Sequence, residues 1–98
     1  MAEIVWTLEA AEWLDAIYEY IARDNPSKAH SVVRGIYDKV QLLCVHPRLG
    51  QRYEPIANRE IREVLYGHYR IVYLIKSDER IEILGIFHGA LDIDRYLR

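Results

Sequence analysis

Hydrophobic positions along the 98-residue chain change period near its middle. From Leu8 to about Arg23 the apolar residues Ala10, Trp13, Leu14, Ile17 and Ile21 recur at steps of three and four, leaving Glu12, Asp15 and Glu19 off the stripe. That spacing predicts an amphipathic helix. From Pro26 to about Val45 the residues Ala29, Val33, Ile36, Val40 and Leu43 repeat the pattern and predict a second helix. Asp24-Asn25-Pro26 leaves almost no linker between them, because Asn caps a helix and Pro is tolerated at its first position. An antiparallel hairpin follows. Beyond the middle, Glu60–Tyr66 alternates imperfectly, and Tyr69–Ile75 and Ile81–His88 are apolar and rich in β-branched and aromatic residues, which predicts three short strands. Links as short as Gly67-His68 and 76–80 allow only an antiparallel meander.

The remaining segments attach to that frame. Ile4, Val5 and Trp6 suit a strand added to the sheet, and Thr7 can cap the first helix. Glu9 and Glu12 sit in its first turns, where the helix dipole favours negative charge. The segment 48–58, with Gly50 and Pro55 and no clear period, is expected to be a loop. Gly89 ends the last strand, and the residues to Arg98 suit a short helix. The expectation is a single domain over residues 1–98 of the α+β class: an N-terminal strand, a two-helix hairpin packed on a mainly antiparallel sheet, and a short C-terminal helix.

Composition narrows the chemistry. One cysteine, Cys44, excludes an internal disulfide and fits a reducing, cytoplasmic setting. No signal-peptide pattern is legible, and no apolar run approaches the ~20 residues of a membrane helix, so no membrane role is expected. No nucleotide-binding glycine loop and no Cys/His cluster with metal spacing occurs, so neither cofactor nor metal is expected. The net charge is −2, yet Arg48, Arg52, Arg59, Arg62 and Arg70 gather with His46 and His68 in the middle of the chain. A local anion-facing surface is therefore open.

Metal-free RNA cleavage would need a base, an acid and cations on the phosphate. Arg62 and Arg70 could be the cations, and His68 or His88 the proton carriers. Each has a structural alternative: an arginine paired with a carboxylate, a hydrogen-bonded histidine at a strand end. Cys44, beside a core position, is expected to be a packed thiol. The eight tyrosines and two tryptophans are a heavy aromatic load for so small a domain. Trp13, Tyr18, Tyr20 and Tyr37 cannot all face one sheet from two helices, so some are expected at an exposed protein-binding surface.

Taken in order, Leu8-Glu9-Ala10-Ala11, Tyr18-Glu19-Tyr20-Ile21-Ala22, His46-Pro47-Arg48-Leu49-Gly50, Arg62-Glu63-Val64, Gly67–Tyr73 and Ile83–Gly89 resemble the RelE/ParE superfamily of toxins over nearly the whole chain. The long helical hairpin and the His88-Gly89-Ala90 ending look like the ParE branch. That resemblance implies a toxin of a type II toxin–antitoxin system that inhibits DNA gyrase and is neutralised by a cognate antitoxin. It makes that antitoxin the expected partner of the aromatic surface of Trp13, Tyr18, Tyr20 and Tyr37. The RelE branch implies the alternative, a ribosome-dependent mRNA endoribonuclease. In that case Arg70 and Arg62 would serve the phosphate, and His88 or Tyr96 proton transfer. The chain departs from the nuclease pattern in having Gly89-Ala90-Leu91 in place of strand-end arginines. Leu91 also stands where many ParE members have arginine, which leaves a weakened toxin as a further alternative.

Overall fold

The computed structural model describes residues 1–53 and 58–88. Its elements are β1 (Glu3–Trp6), α1 (Leu8–Ala22), α2 (Pro26–Leu42), β2 (Gln51–Arg52), β3 (Ile61–Tyr66), β4 (Tyr69–Ser77) and β5 (Arg80–His88). The strands form one sheet in the order β1-β5-β4-β3-β2, with β1 parallel to β5 and every other pairing antiparallel. This is the α+β architecture that the periodicity predicts, and the last three strands form the expected meander. The C-terminal helix expected after Gly89 lies outside the described residues.

Local chemistry explains the joints. Thr7 ends β1 and starts α1 at once: its backbone N–H and its Oγ1 both donate to the Ile83 carbonyl, at 3.2 and 2.7 Å, while Oγ1 accepts from Ala10 N at 3.1 Å. Asn25 caps α2 by accepting from Lys28 N at 3.0 Å, and Pro26 occupies the first turn. Gly67, at φ +58°, makes the tight turn between β3 and β4.

Three details depart from the periodicity. α2 stops at Leu42, three residues short of Val45. The segment expected to be only loop contains the two-residue strand β2, which pairs Gln51 with Glu63 and Arg52 with Arg62. β5 carries a bulge: Tyr73 faces Ile83 and Val72 faces Gly85, so Leu84 is the extra residue. The bulge shifts the alternation, and Ile83 and Ile86, three apart, enter the same core. Gly85 suits the neighbouring position, since a Cβ there would stand 2.6 Å from the Phe87 ring.

The main core lies between the helices and the sheet. Ala10, Ile36, Val40 and Leu43 meet Val64, Ile71, Tyr73, Ile75, Ile81, Ile83 and Ile86. A smaller cluster of Ile61, Val72 and Phe87 has Trp13, Tyr53, Leu74 and Leu84 packed on it. The helices are not equally covered. α2 buries Ala29, Ile36 and Val40 completely, whereas of the α1 stripe only Ala10 is fully buried and Trp13, Leu14, Ile17 and Ile21 stay half-buried. α1 packs on α2 and β5, and β1 pairs only with residues 80–83 of β5. The first helix therefore lies beside the far half of β5 with part of its apolar face open.

Candidate partner-binding surface and the polar sites of the sheet

The open part of α1 forms a hollow of about 300 Å³ against the sheet, lined by Trp13, Ala16, Ile17 and Tyr20 from the helix and by Tyr69 and His88 from the strands. The helix residues follow the i, i+3, i+4, i+7 spacing of a single stripe. Trp13 anchors its floor by packing on Phe87, with ring centroids 5.2 Å apart and planes tilted by 60°. Tyr20 stands at the rim, 73% exposed. Tyr69 pairs across the ladder with His88, and their rings lie 5.1 Å apart. Burial raises the Tyr69 phenol above its ordinary pKa, and the neighbouring Tyr20 adds to the rise.

Of the aromatic residues predicted to bind a partner, the structure brings Trp13 and Tyr20 together in this hollow. Tyr37 lies elsewhere, stacked on Trp6 with centroids 6.5 Å apart and planes 9° from parallel. Tyr18 is 39% exposed on α1 and does not line the hollow. Sequence reasoning missed Ala16 and Tyr69. Ala16 is the small residue that opens the hollow, and its place on the Trp13–Tyr20 stripe is the signal that could have found it.

Arg70 and Arg62 of the sheet, and Arg48 beside it, are held by carboxylates. Arg70 Nη2 lies 2.6 Å from Glu63 Oε2, and its Nε donates to the same oxygen at 3.1 Å. Arg62 donates to Glu60 at 3.0 Å and to the Gly50 carbonyl at 2.7 Å, while Arg48 reaches the same Glu60 carboxylate at 3.2 and 3.3 Å. Partial burial pushes the Glu60 carboxyl up, but the hydrogen bonds from Arg62 and Arg48 outweigh it and hold the group below the usual carboxylate range. Tyr73 completes the cluster. Its hydroxyl donates to the Pro47 carbonyl at 2.7 Å and accepts from Gly50 N–H at 2.9 Å. Burial raises this phenol's pKa, with the Gly50 hydrogen bond working against it. The turn 46–50 is thus tied to β3 and β4 through the Pro47 and Gly50 carbonyls and the Gly50 amide.

The residues weighed for phosphate chemistry do not converge. Arg62 lies opposite Tyr73, and Arg70 lies opposite Leu65 in an unbroken β3–β4 ladder. Positions 62 and 65 differ by three, so the two arginines project from opposite faces of the sheet. His88, opposite Tyr69, is four ladder steps from the Arg62–Tyr73 pair, roughly 13 Å along the strand. Its ring approaches His68 edge-on, with centroids 6.2 Å apart. Tyr96 lies outside the described residues, as do Leu91 and the rest of the ending. Cys44 is a half-buried thiol donating to the Ala2 carbonyl at 2.9 Å, as expected of a packed residue. Among the described residues no group of three or more His, Cys, Asp or Glu could hold a metal ion, and no helix is long and apolar enough to cross a membrane.

Comparison with known proteins adds a family to this geometry. The family model described as the ParE toxin of type II toxin–antitoxin system, parDE, matches residues 4–93. Y4kP of Sinorhizobium fredii is 37% identical over 88 residues, covering 88% of this chain and 86% of its own length. Toxin RelE2 of Caulobacter vibrioides is 27% identical over 90 residues, covering 92% of this chain and 98% of its own. Among solved structures, a chain of the chromosomal ParDE system from P. aeruginosa superposes with a TM-score of 0.76 at 27% identity, covering 91% of this chain and 97% of that one.

Proposed function

Since the chain belongs to the ParE toxin family of type II toxin–antitoxin systems, we propose that it arrests growth in the cytoplasm by binding DNA gyrase, as a contact inhibitor and not as a catalyst. The parDE family implies a protein antitoxin as its partner. We place that partner over the exposed aromatic surface of the helical hairpin, centred on Trp13 and Tyr20 and extending to Tyr18 and Tyr37.

One observation carries the choice against catalysis. Arg62 and Arg70 are each engaged by a carboxylate and project from opposite faces of the sheet, and His88 lies four ladder steps from Arg62, so the described residues weighed for phosphate chemistry do not gather around one phosphate. A nuclease needs those groups around one phosphate. An inhibitor by contact needs only a stable surface.

The experiment pairs two reactions with the purified protein: gyrase acting on relaxed plasmid, and reconstituted translation assayed for mRNA cleavage. Inhibited supercoiling with intact mRNA is the expected result. Cut mRNA with unaffected gyrase would overturn the reading and move the activity to the ribosome. Binding of the antitoxin encoded beside the toxin, lost on substituting Trp13 and Tyr20 together, tests the placement of the partner.

A further inference from the structure

The hollow at Trp13 continues toward the start of α1. A second one, of about 340 Å³, is lined by Glu9, Glu12, Trp13 and Ala16, and so shares two of its four residues with the first. Together the lining residues 9, 12, 13, 16, 17 and 20 make one stripe, a groove roughly 17 Å long parallel to the helix. Its middle and far end are apolar and aromatic. Its near end is acidic, and among the described residues neither Glu9 nor Glu12 makes an ion pair. The polarity extends to the whole element: α1 carries Glu9, Glu12, Asp15 and Glu19 and no lysine or arginine. A nucleic acid would be repelled along this helix.

Resting on the antitoxin reading above, we propose that this groove is the seat of an apolar–basic segment of the antitoxin. A bulky apolar side chain lies over Ala16 between Trp13 and Tyr20, and lysine or arginine side chains meet Glu9 and Glu12. Charge complementarity commits the occupant. An apolar side chain gains by leaving water against Trp13, Ile17 and Tyr69, and the free carboxylates at the rim select a cation and fix the direction in which the segment lies. Ala16 sets the steric limit, because a larger residue there fills the groove that its short side chain leaves open.

The test measures binding of the full-length antitoxin encoded beside the toxin to four forms of the intact chain. These are the wild type, Glu9→Lys/Glu12→Lys, Ala16→Arg, and Asp78→Lys/Glu79→Lys, in the exposed β4–β5 turn at the end of the ladder opposite Tyr69 and His88, as a control with the same charge change off the groove. Circular dichroism and thermal unfolding confirm that each variant folds, and Glu9→Gln/Glu12→Gln repeats the test without placing cations at the helix start. Reversal of Glu9 and Glu12 is expected to weaken binding about tenfold or more at low salt, with the gap closing as salt rises. Ala16→Arg is expected to weaken it at least as much at any salt, and the control to stay within about twofold of wild type. Unchanged affinity in both groove variants, with the wild type binding normally, would overturn this proposal and leave the antitoxin reading standing. Absence of binding by the wild type would overturn both. Self-association of the toxin that Ala16→Arg abolishes, seen by sedimentation, would reassign the groove to a second copy and overturn the proposal.

Discussion

Removing the Tyr73 hydroxyl tests whether the 46–50 turn is held as described. Tyr73→Phe keeps the ring, which is fully buried in the main core, and deletes one oxygen. That oxygen is both donor to the Pro47 carbonyl at 2.7 Å and acceptor from Gly50 N–H at 2.9 Å. Gly50 is itself buried, so its amide has no ready water to replace the loss. Two hydrogen bonds contribute about 1 kcal/mol each net, and a buried donor left unpaired adds to that, so the expected loss is about 2–3 kcal/mol. For a chain of this length such a loss lowers Tm by roughly 10–20 °C. Urea unfolding followed by fluorescence should show the midpoint falling by about 1–2 M with an unchanged slope. A second signature comes from pH. Because burial raises the folded-state pKa of this phenol above its unfolded value, its contribution is present below about pH 10 and is lost as pH rises through the higher folded value. Tyr73→Phe should lack that part of the alkaline loss. A change in stability below about 0.5 kcal/mol, the range of surface substitutions, would refute the role given to this hydroxyl.

Other perturbations follow the same reasoning. The folded-state pKa of Glu60 is depressed by Arg62 and Arg48, so its contribution is present above about pH 5 and fades as pH falls through the lowered value; Glu60→Gln should remove this component from the acid limb of a stability–pH curve. Gly67→Ala places a side chain at φ +58° with nothing within 4 Å to clash, so it should cost about 1 kcal/mol from backbone strain alone, with Gly67→Asn costing less in chemical denaturation. Arg70→Ala should destabilise by about 1 kcal/mol by freeing the partly exposed Glu63, and should leave inhibition by the remaining folded protein unchanged; inhibition lost in a fully folded variant would return Arg70 to the functional site.

The joints of the fold were legible because each is encoded locally: Thr7 before Leu8, Asn25-Pro26 between the helices, Gly67-His68 between two apolar runs. The opposed directions of Arg62 and Arg70 were legible in principle as well. A two-residue turn at 67–68 pairs Tyr66 with Tyr69, and counting back from it sets the arginines on different faces. β2 was not legible, since Gln51 and Arg52 are exposed polar residues whose strand conformation comes only from pairing with β3. Periodicity marked the apolar stripe of α1 without saying what covers it. That depends on how much of β5 the short β1 pairs with, a tertiary fact. The aromatic surplus pointed to an exposed surface, but assigned Tyr18 and Tyr37 to the same place as Trp13 and Tyr20; composition counts aromatic groups and does not separate helix faces. Gly85 was the available signal for the bulge, as glycine inside a strand often is.

The central claim, inhibition of gyrase by contact, is tested most directly by titrating the purified toxin into a supercoiling reaction of known gyrase concentration. Supercoiling should fall as toxin is added and should return when the toxin is premixed with an equimolar amount of its antitoxin. Undiminished supercoiling at a toxin concentration well above that of gyrase would contradict the account.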